Sequence, residues 1–310
     1  MLLTIAIMAI TLTGCNNTPA EDTNVVYVTV YPMQFLVEEI AGDTIEVNLV
    51  PGATTHGSSI DWSAKEIIEM ADADLLFFVS GGADTYITAK ADLFEDQNVM
   101  LVDMSQHIEY NEICLSHDED AEGETEVCDD NSLTPDPHFW LDPVRMLQAA
   151  EFVKDKLIAT FPDNQELYNN NFTVIEATLT QLDLDYQLMS GLATTPIMTT
   201  VRLFTYWEVR YGLEIVAVTN DIHSEVRNPG TIIEFVNYAA ANDISYVLFE
   251  KNANSPTGDA LLSDLQVIDP DALGDYIHGL GQITLEESEA GSTYITIMYD
   301  NLEVLNLTTK

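Results

Sequence analysis

The chain has 310 residues, and its 52 Asp and Glu against 10 Lys and Arg give a formal net charge of −42. Hydrophobic residues make up 46% of it, enough for buried cores and against disorder of the whole chain. A field of that sign repels phosphate backbones and no basic patch interrupts it, which excludes nucleic-acid binding as a main activity. At roughly 100–200 residues per domain the length predicts two domains. The acidic surface attracts cations and tolerates high salt, where screening hides the self-repulsion; a halophilic source and a merely acidic secreted protein both fit.

Residues 1–13, MLLTIAIMAITLT, form an apolar run. It is too short to cross a bilayer core of ~30 Å, which needs about 20 residues, and reads as the apolar region of a secretion signal. The run ends Leu12-Thr13-Gly14-Cys15, which resembles the lipobox of bacterial lipoproteins, although no Lys or Arg precedes it. The resemblance implies a signal peptide over 1–15, cut before a cysteine whose thiol is acylated. Residues 16–24 are polar and turn-rich, as a tether to a lipid anchor should be. With Cys15 consumed, Cys114 and Cys128 remain as an even pair in an oxidising compartment. They bracket the most acidic stretch, 118–130, with eight Asp or Glu in thirteen residues, and an acidic loop is expected over 114–134. A disulfide across it would contribute up to ~3 kcal/mol in the chain-entropy model. A thiolate metal site is the alternative use of the two thiols.

From residue 25 short β-rich runs alternate with helical patterns. Strands are expected at 25–30, 44–50, 75–79 and 99–102, with helices at 33–41, ended by Gly42, and at 63–70. Asp142 is a natural N-cap with Pro143 at the first helical position, starting a helix to about Thr160. The strand rhythm returns at 197–200, 215–218 and 246–249, with helices at about 202–211 and 230–241. Continuous apolar strands separated by helices point to parallel sheets covered on both faces. The chain therefore reads as two α/β lobes, 25–163 and 193–310. Between them, apolar residues from Leu167 to Met189 recur at three- and four-residue spacing without Pro or Gly. That predicts one rigid linking helix over 164–192, about 40 Å long. Two helices broken near Asn169–Asn171 are the alternative.

Two of the six histidines occupy informative places. His56 follows Pro51-Gly52-Ala53-Thr54-Thr55, a loop directly after a strand, where ligands gather in α/β sheets. His138 lies in Pro135-Asp136-Pro137-His138, whose prolines hold an extended, stiff approach and present the imidazole as a metal ligand should be presented. A satisfied core or surface histidine is the competing reading of each.

Several segments together resemble the metal-binding substrate-binding lipoproteins of zinc and manganese ABC importers, the cluster A-I solute-binding proteins, zinc type. They are Tyr31-Pro32, Ile40-Ala41-Gly42-Asp43, Pro51–His56, Ala71-Asp72-Ala73-Asp74-Leu75, Asp136–Pro143, Arg210-Tyr211-Gly212-Leu213, Gly291-Ser292-Thr293-Tyr294 and Met298–Leu302. The resemblance implies a cleft between the lobes that holds one divalent metal through two N-lobe histidines, a C-lobe His or Glu, and a C-lobe acid. His56 and His138 match the first two. The third position falls on Val201, which cannot bind a metal, and the acid matches Asp271 before Ala272-Leu273-Gly274, with Asp269 as competitor. His223 is an alternative filler of the third place, and His278 a remoter one. His107 and His117 flank the acidic loop and are expected to be solvated, and Arg202 is expected to pair with a carboxylate.

A His, His and carboxylate set suits zinc with one open position, where manganese would want more oxygens. The expected function is capture of a divalent metal, zinc before manganese, for delivery to an ABC permease by a monomer anchored outside the cell membrane or in the periplasm. No reaction is catalysed in this reading. A zinc hydrolase is the weaker alternative: no His-Glu-x-x-His motif is present, and Glu250 is the only candidate general base. A relative that has lost its metal and serves adhesion or another ligand is the other alternative, motivated by Val201.

Overall fold

The computed structural model describes residues 24–53, 60–114, 133–218 and 229–310. The signal and lipobox with Cys15, and His56, His117, Cys128 and His223, lie outside the described residues, as does the side chain of Cys114.

The N-lobe is built from β1 (Asn24–Val28), α1 (Tyr31–Ala41), β2 (Ile45–Leu49), α2 (Ala64–Ala71), β3 (Leu75–Phe78), α3 (Thr85–Thr88), α4 (Ala91–Glu95) and β4 (Met100–Asp103). Then follow β5 (Asn111–Cys114), β6 (Leu133–Asp136) and α5 (Pro143–Thr160). The linking helix is α6 (Gln165–Ser190). The C-lobe contains β7 (Ile197–Thr199), α7 (Thr205–Tyr211), β8 (Ile215–Ala217), α8 (Pro229–Ala241), β9 (Tyr246–Glu250), α9 (Pro256–Ile268), β10 (Leu273–Ile277), α10 (Leu285–Glu289) and α11 (Tyr294–Thr308). No described helix is long and apolar enough to cross a membrane.

Each lobe carries a four-stranded, all-parallel sheet, in the orders β2-β1-β3-β4 and β10-β9-β7-β8. Numbered within its lobe, each sheet runs 2-1-3-4, so the architecture repeats. In such an order the chain leaves the first strand to one side and returns on the other. The switch point therefore lies between β1 and β3 in one lobe and between β7 and β9 in the other. Crevices at the carboxyl ends of strands at a switch point are where open α/β sheets bind ligands.

Local chemistry explains the boundaries. Ser63 caps α2 in a capping box with Glu66, and Asp142 accepts from the Val144 N–H with Pro143 at the first turn of α5, as expected. α6 is one unbroken helix of 26 residues, about 39 Å at 1.5 Å per residue. The asparagines that threatened a break are used: Asn171 Nδ2 donates to the Ile40 carbonyl at 3.0 Å and Asn169 Nδ2 to that of Gln165 at 2.9 Å. One continuous core runs from β1 and α1 through α5 and α6 into α7 and α11, while smaller cores cover the opposite face of each sheet.

Two sequence expectations shift. The helix expected from 202 begins at Thr205, leaving Val201–Phe204 as a bend at the carboxyl edge of β7. The loop expected over 114–134 is shorter at both ends, because Cys114 pairs with Leu133 and Ile113 with Thr134 in an antiparallel ladder. That pairing holds the two ends of the acidic segment side by side.

Candidate metal centre

His138 follows β6 on a loop that packs against the turn after β3: a Cβ on Gly81 would lie 3.1 Å from the Pro137 side chain. This puts it at the N-lobe switch point. His138 is buried, with 3% of the residue's surface exposed, and its Nδ1 lies 2.7 Å from Asp136 Oδ1. The same oxygen accepts from the His138 backbone N–H at 3.0 Å, and the other carboxylate oxygen accepts from Thr205 Oγ1 of the C-lobe. Burial alone would raise the Asp136 carboxyl, but the bonds and charge of His138 and the Thr205 hydroxyl hold it below the ordinary range. A carboxylate on Nδ1 fixes ring orientation and tautomer, so an ion would be taken by Nε2.

The C-lobe grips this loop with aromatic donors. The Tyr206 hydroxyl donates to the Asp136 carbonyl at 2.7 Å, Trp207 Nε1 to that of Leu141 at 2.8 Å, and the Tyr294 hydroxyl to that of Trp140 at 2.6 Å. In the other direction Trp140 Nε1 donates to the Gly279 carbonyl at 2.9 Å, and the Tyr31 N–H to that of Gly281 at 3.0 Å. Gln282 Nε2 reaches the Ala53 carbonyl, at the edge of the segment that continues to His56. Buried Tyr and Trp need partners for their polar tips, and here those partners join the lobes.

At the C-lobe switch point, Glu250 ends β9 and Val201 follows β7. Thr199 pairs with Leu248 at the end of β7, and Val201 follows in the bend after that strand. Val201 is 8% exposed and belongs to the core, as its aliphatic side chain requires. Burial raises the Glu250 carboxyl, and the charge of His138 acts in the opposite direction, so the two side chains are within electrostatic reach. Arg202 pairs with Glu208, Nη2 to Oε2 at 3.1 Å, as expected.

The carboxylates carried over from the resemblance do not meet His138. Asp271 is exposed and precedes β10 at the end where β9 begins, since Leu273 pairs with Tyr246 and Ile277 with Glu250. Six residues of extended chain, roughly 20 Å, separate Asp271 from the edge where Glu250 and Gly279 approach the His138 loop. Asp269 is at the same far end, accepting from Ser245 Oγ at 2.8 Å and from the Asp271 N–H at 3.2 Å. Both carboxylates serve the α9–β10 turn. The short Ala-Leu-Gly element misplaced the acid because it marks the start of an edge strand rather than its end.

The remaining described histidines do other work. His107 is exposed and stacks on Phe152 at 3.8 Å between centroids, in keeping with its expected solvation. His278 is buried, but its Nδ1 accepts from the Leu280 N–H at 2.8 Å and its Nε2 faces Glu287 Oε1 at 3.5 Å. Burial would raise Glu287, yet the Thr284 cap, Lys251 and His278 hold it at about 2. Among the described residues no three His, Cys, Asp or Glu side chains gather closely enough to form a metal site by themselves.

Two parallel-sheet lobes with opposed switch points, joined by one long helix, define the architecture of a ZnuA-like solute-binding protein. The chain belongs to the family described as the periplasmic zinc-uptake complex component A, ZnuA, whose model matches residues 26–307. It is 28% identical over 311 residues to the zinc-binding lipoprotein AdcA of Streptococcus pneumoniae R6, which covers 99% of this chain and 60% of that protein. It thus spans about 60% of the length of that relative. Against the high-affinity zinc uptake system protein ZnuA of Bacillus subtilis 168 the identity is 26% over 281 residues, covering 90% of this chain and 86% of that one. Among solved structures, the Zn(II)-bound ZnuA-like domain of S. pneumoniae AdcA superposes with a TM-score of 0.71 at 27% identity, covering 93% and 98% of the two chains. The metal-dependent lipoprotein YcdH of B. subtilis shares the fold, with a TM-score of 0.74 over 92% and 99% of the chains.

Proposed function

We propose that this chain captures a zinc ion outside the cytoplasm and delivers it to an ABC permease, acting as a binding protein and not as an enzyme. The observation that carries the reading is His138, oriented by Asp136 through Nδ1 and set between two opposed switch points in a ZnuA-family chain. His56, five residues beyond the turn at Pro51, is the second histidine of the proposed set. Cys15 is the proposed lipid anchor, in keeping with relatives named as lipoproteins, and the working unit is a monomer. Histidine nitrogens with one carboxylate favour zinc over manganese.

Titration of the purified chain with zinc, with manganese and with a competing chelator tests the reading. One tightly held zinc per chain, displaced by the chelator and held more tightly than manganese, is the expected result. Absence of tight binding to either metal would move the assignment to adhesion or another ligand. The same assay tests Val201: Val201→His adds a nitrogen donor at the third-ligand position the resemblance implies and should tighten zinc binding on the order of tenfold. Weaker binding in a folded variant would show that another residue, His223 first among them, already fills that place.

A further inference from the structure

The linking helix α6 carries two apolar stripes where its place in the fold calls for one. Ile175, Leu179, Leu182, Tyr186 and Met189 are buried against the core. A helix with one such face is expected to be polar on the other. On the opposite side Leu167, Val174, Gln181 and Leu188 recur every seven residues. Asn170, Ala177 and Leu184 stand three residues after the first three of them. The larger apolar members are exposed: Leu167 by 38%, Val174 by 65%, Leu184 by 52% and Leu188 by 68%. This is the a/d spacing of a helix-pairing seam, about 32 Å long at 1.5 Å per residue.

Charge and shape both say what covers this seam. On a chain of formal net charge −42, Asp185 is the only ionisable side chain at the seam and its flanking helix positions from Leu167 to Leu188. Its carboxylate is occupied, accepting from Gln181 Nε2 at 2.9 Å and from the Tyr299 hydroxyl at 2.9 Å. So acidic a chain can meet its own copy only where like charges are absent, and this face leaves them out. The shape is self-complementary. Beside Val174 lies a groove of about 190 Å³, walled chiefly by Phe35 and Glu39 of α1, Ile175 and Thr178 of α6, and Ile295 of α11. A void of that size admits a leucine side chain. In an antiparallel pair, setting Leu184 on Val174 of the second copy also sets Leu188 on Asn170 and Gln181 on the small Ala177. One helix thus supplies the knob towards one end and the hole towards the other, as a two-fold interface requires.

We propose that the exposed face of α6 pairs antiparallel with the same face of a second copy of this chain, forming a reversible two-fold dimer. The pairing goes beyond zinc capture and does not depend on it. No seam residue belongs to the metal centre, so each copy keeps a whole site and the unit that carries one ion is still one chain. The contact is small. Two faces about 32 Å long bury on the order of 1,000 Å² in total, the lower bound of specific interfaces, which makes the dimer weak and concentration-dependent. Charge on the rest of the two surfaces opposes their approach at long range, so salt strengthens the association.

Sedimentation equilibrium of the metal-free full chain, from about 1 μM to about 1 mM and in about 0.1 M and about 2 M sodium chloride, tests the pairing. A monomer–dimer equilibrium with Kd on the order of 100 μM or tighter in the high-salt buffer, weaker in the low, is the expected result. Leu184→Lys and Val174→Glu change exposed side chains and should keep the wild-type melting temperature. Each puts an unpaired charge into the seam twice and should weaken association at least about tenfold. Mixing the two variants should recover it, because the antiparallel register brings the opposite introduced charges together. Gln181→Leu should tighten the dimer about tenfold. Val267→Glu, at a 78% exposed position of α9 on the opposite face of the C-lobe sheet, should match wild type. A wild-type chain that stays monomeric throughout overturns the proposal, as does association that Leu184→Lys and Val174→Glu leave unchanged. Equal weakening by Val267→Glu overturns it too, since added charge anywhere would then suffice. Association lost in both seam variants and not recovered on mixing overturns the antiparallel pairing.

Discussion

His138→Ala is expected to weaken zinc binding on the order of 1,000-fold, about 4 kcal/mol, and to destabilise the metal-free protein as well. The first effect follows from the loss of the N-lobe nitrogen that Asp136 has oriented. The second follows from burial: the residue is 3% exposed, and its ring is bonded through Nδ1 at 2.7 Å and packed on Trp140. Asp136 would keep the Thr205 hydroxyl and the backbone N–H of residue 138 but lose its charge-assisted partner. That leaves a buried carboxylate short of one donor, a cost of about 2 kcal/mol. Zinc affinity by chelator competition and urea unfolding without metal separate the two effects. Unchanged zinc affinity in a folded variant would remove His138 from the site.

The repeat of the fold was legible because buried parallel strands announce themselves as apolar runs: Leu75–Phe78 and Tyr246–Glu250 are such runs, and both are central. β10 was missed because Leu-Gly-Asp-Tyr-Ile is an edge strand with four of its five residues incompletely buried, so neither run nor alternation marks it. The β5–β6 hairpin was hidden by Pro135 within it and by the acidic stretch between its strands. Of the site, His138 stood out because prolines and a helix cap stiffen its surroundings. Glu250 is legible in the sequence only as a carboxylate that ends an apolar strand. The β7–β9 pairing that sets the C-lobe switch point joins residues about 50 apart in sequence. The aromatic grip of Tyr206, Trp207 and Tyr294 on the His138 loop is of the same kind, since each partner lies at least 66 residues away.

That grip makes Asp136 the residue through which the lobes and the ligand histidine are coupled. It is fully buried, and it joins His138 of its own loop to Thr205 at the start of α7. Asp136→Ala would leave the Thr205 hydroxyl and His138 Nδ1 without their acceptor, and is expected to cost about 3 kcal/mol at neutral pH. Asp136→Asn keeps an oxygen for Nδ1–H but loses the negative charge that strengthens the imidazole as a donor to metal. It should cost about 1 kcal/mol in stability and weaken zinc binding roughly 10–100-fold. The pH dependence has a definite sign. Burial works to raise the Asp136 carboxyl, but His138 and Thr205 prevail and hold it below its unfolded value of about 3.9. Its stabilisation is therefore complete well above pH 4 and is lost as the pH falls from there toward the folded value. The gap in unfolding free energy between wild type and Asp136→Asn, measured by urea denaturation of the metal-free protein, should shrink on acidification below about pH 4. An Asn variant that binds zinc as tightly as wild type would mean that the Asp136 contact does not orient His138 for the ion. A gap that widens on acidification would mean that the carboxyl is held in its protonated form.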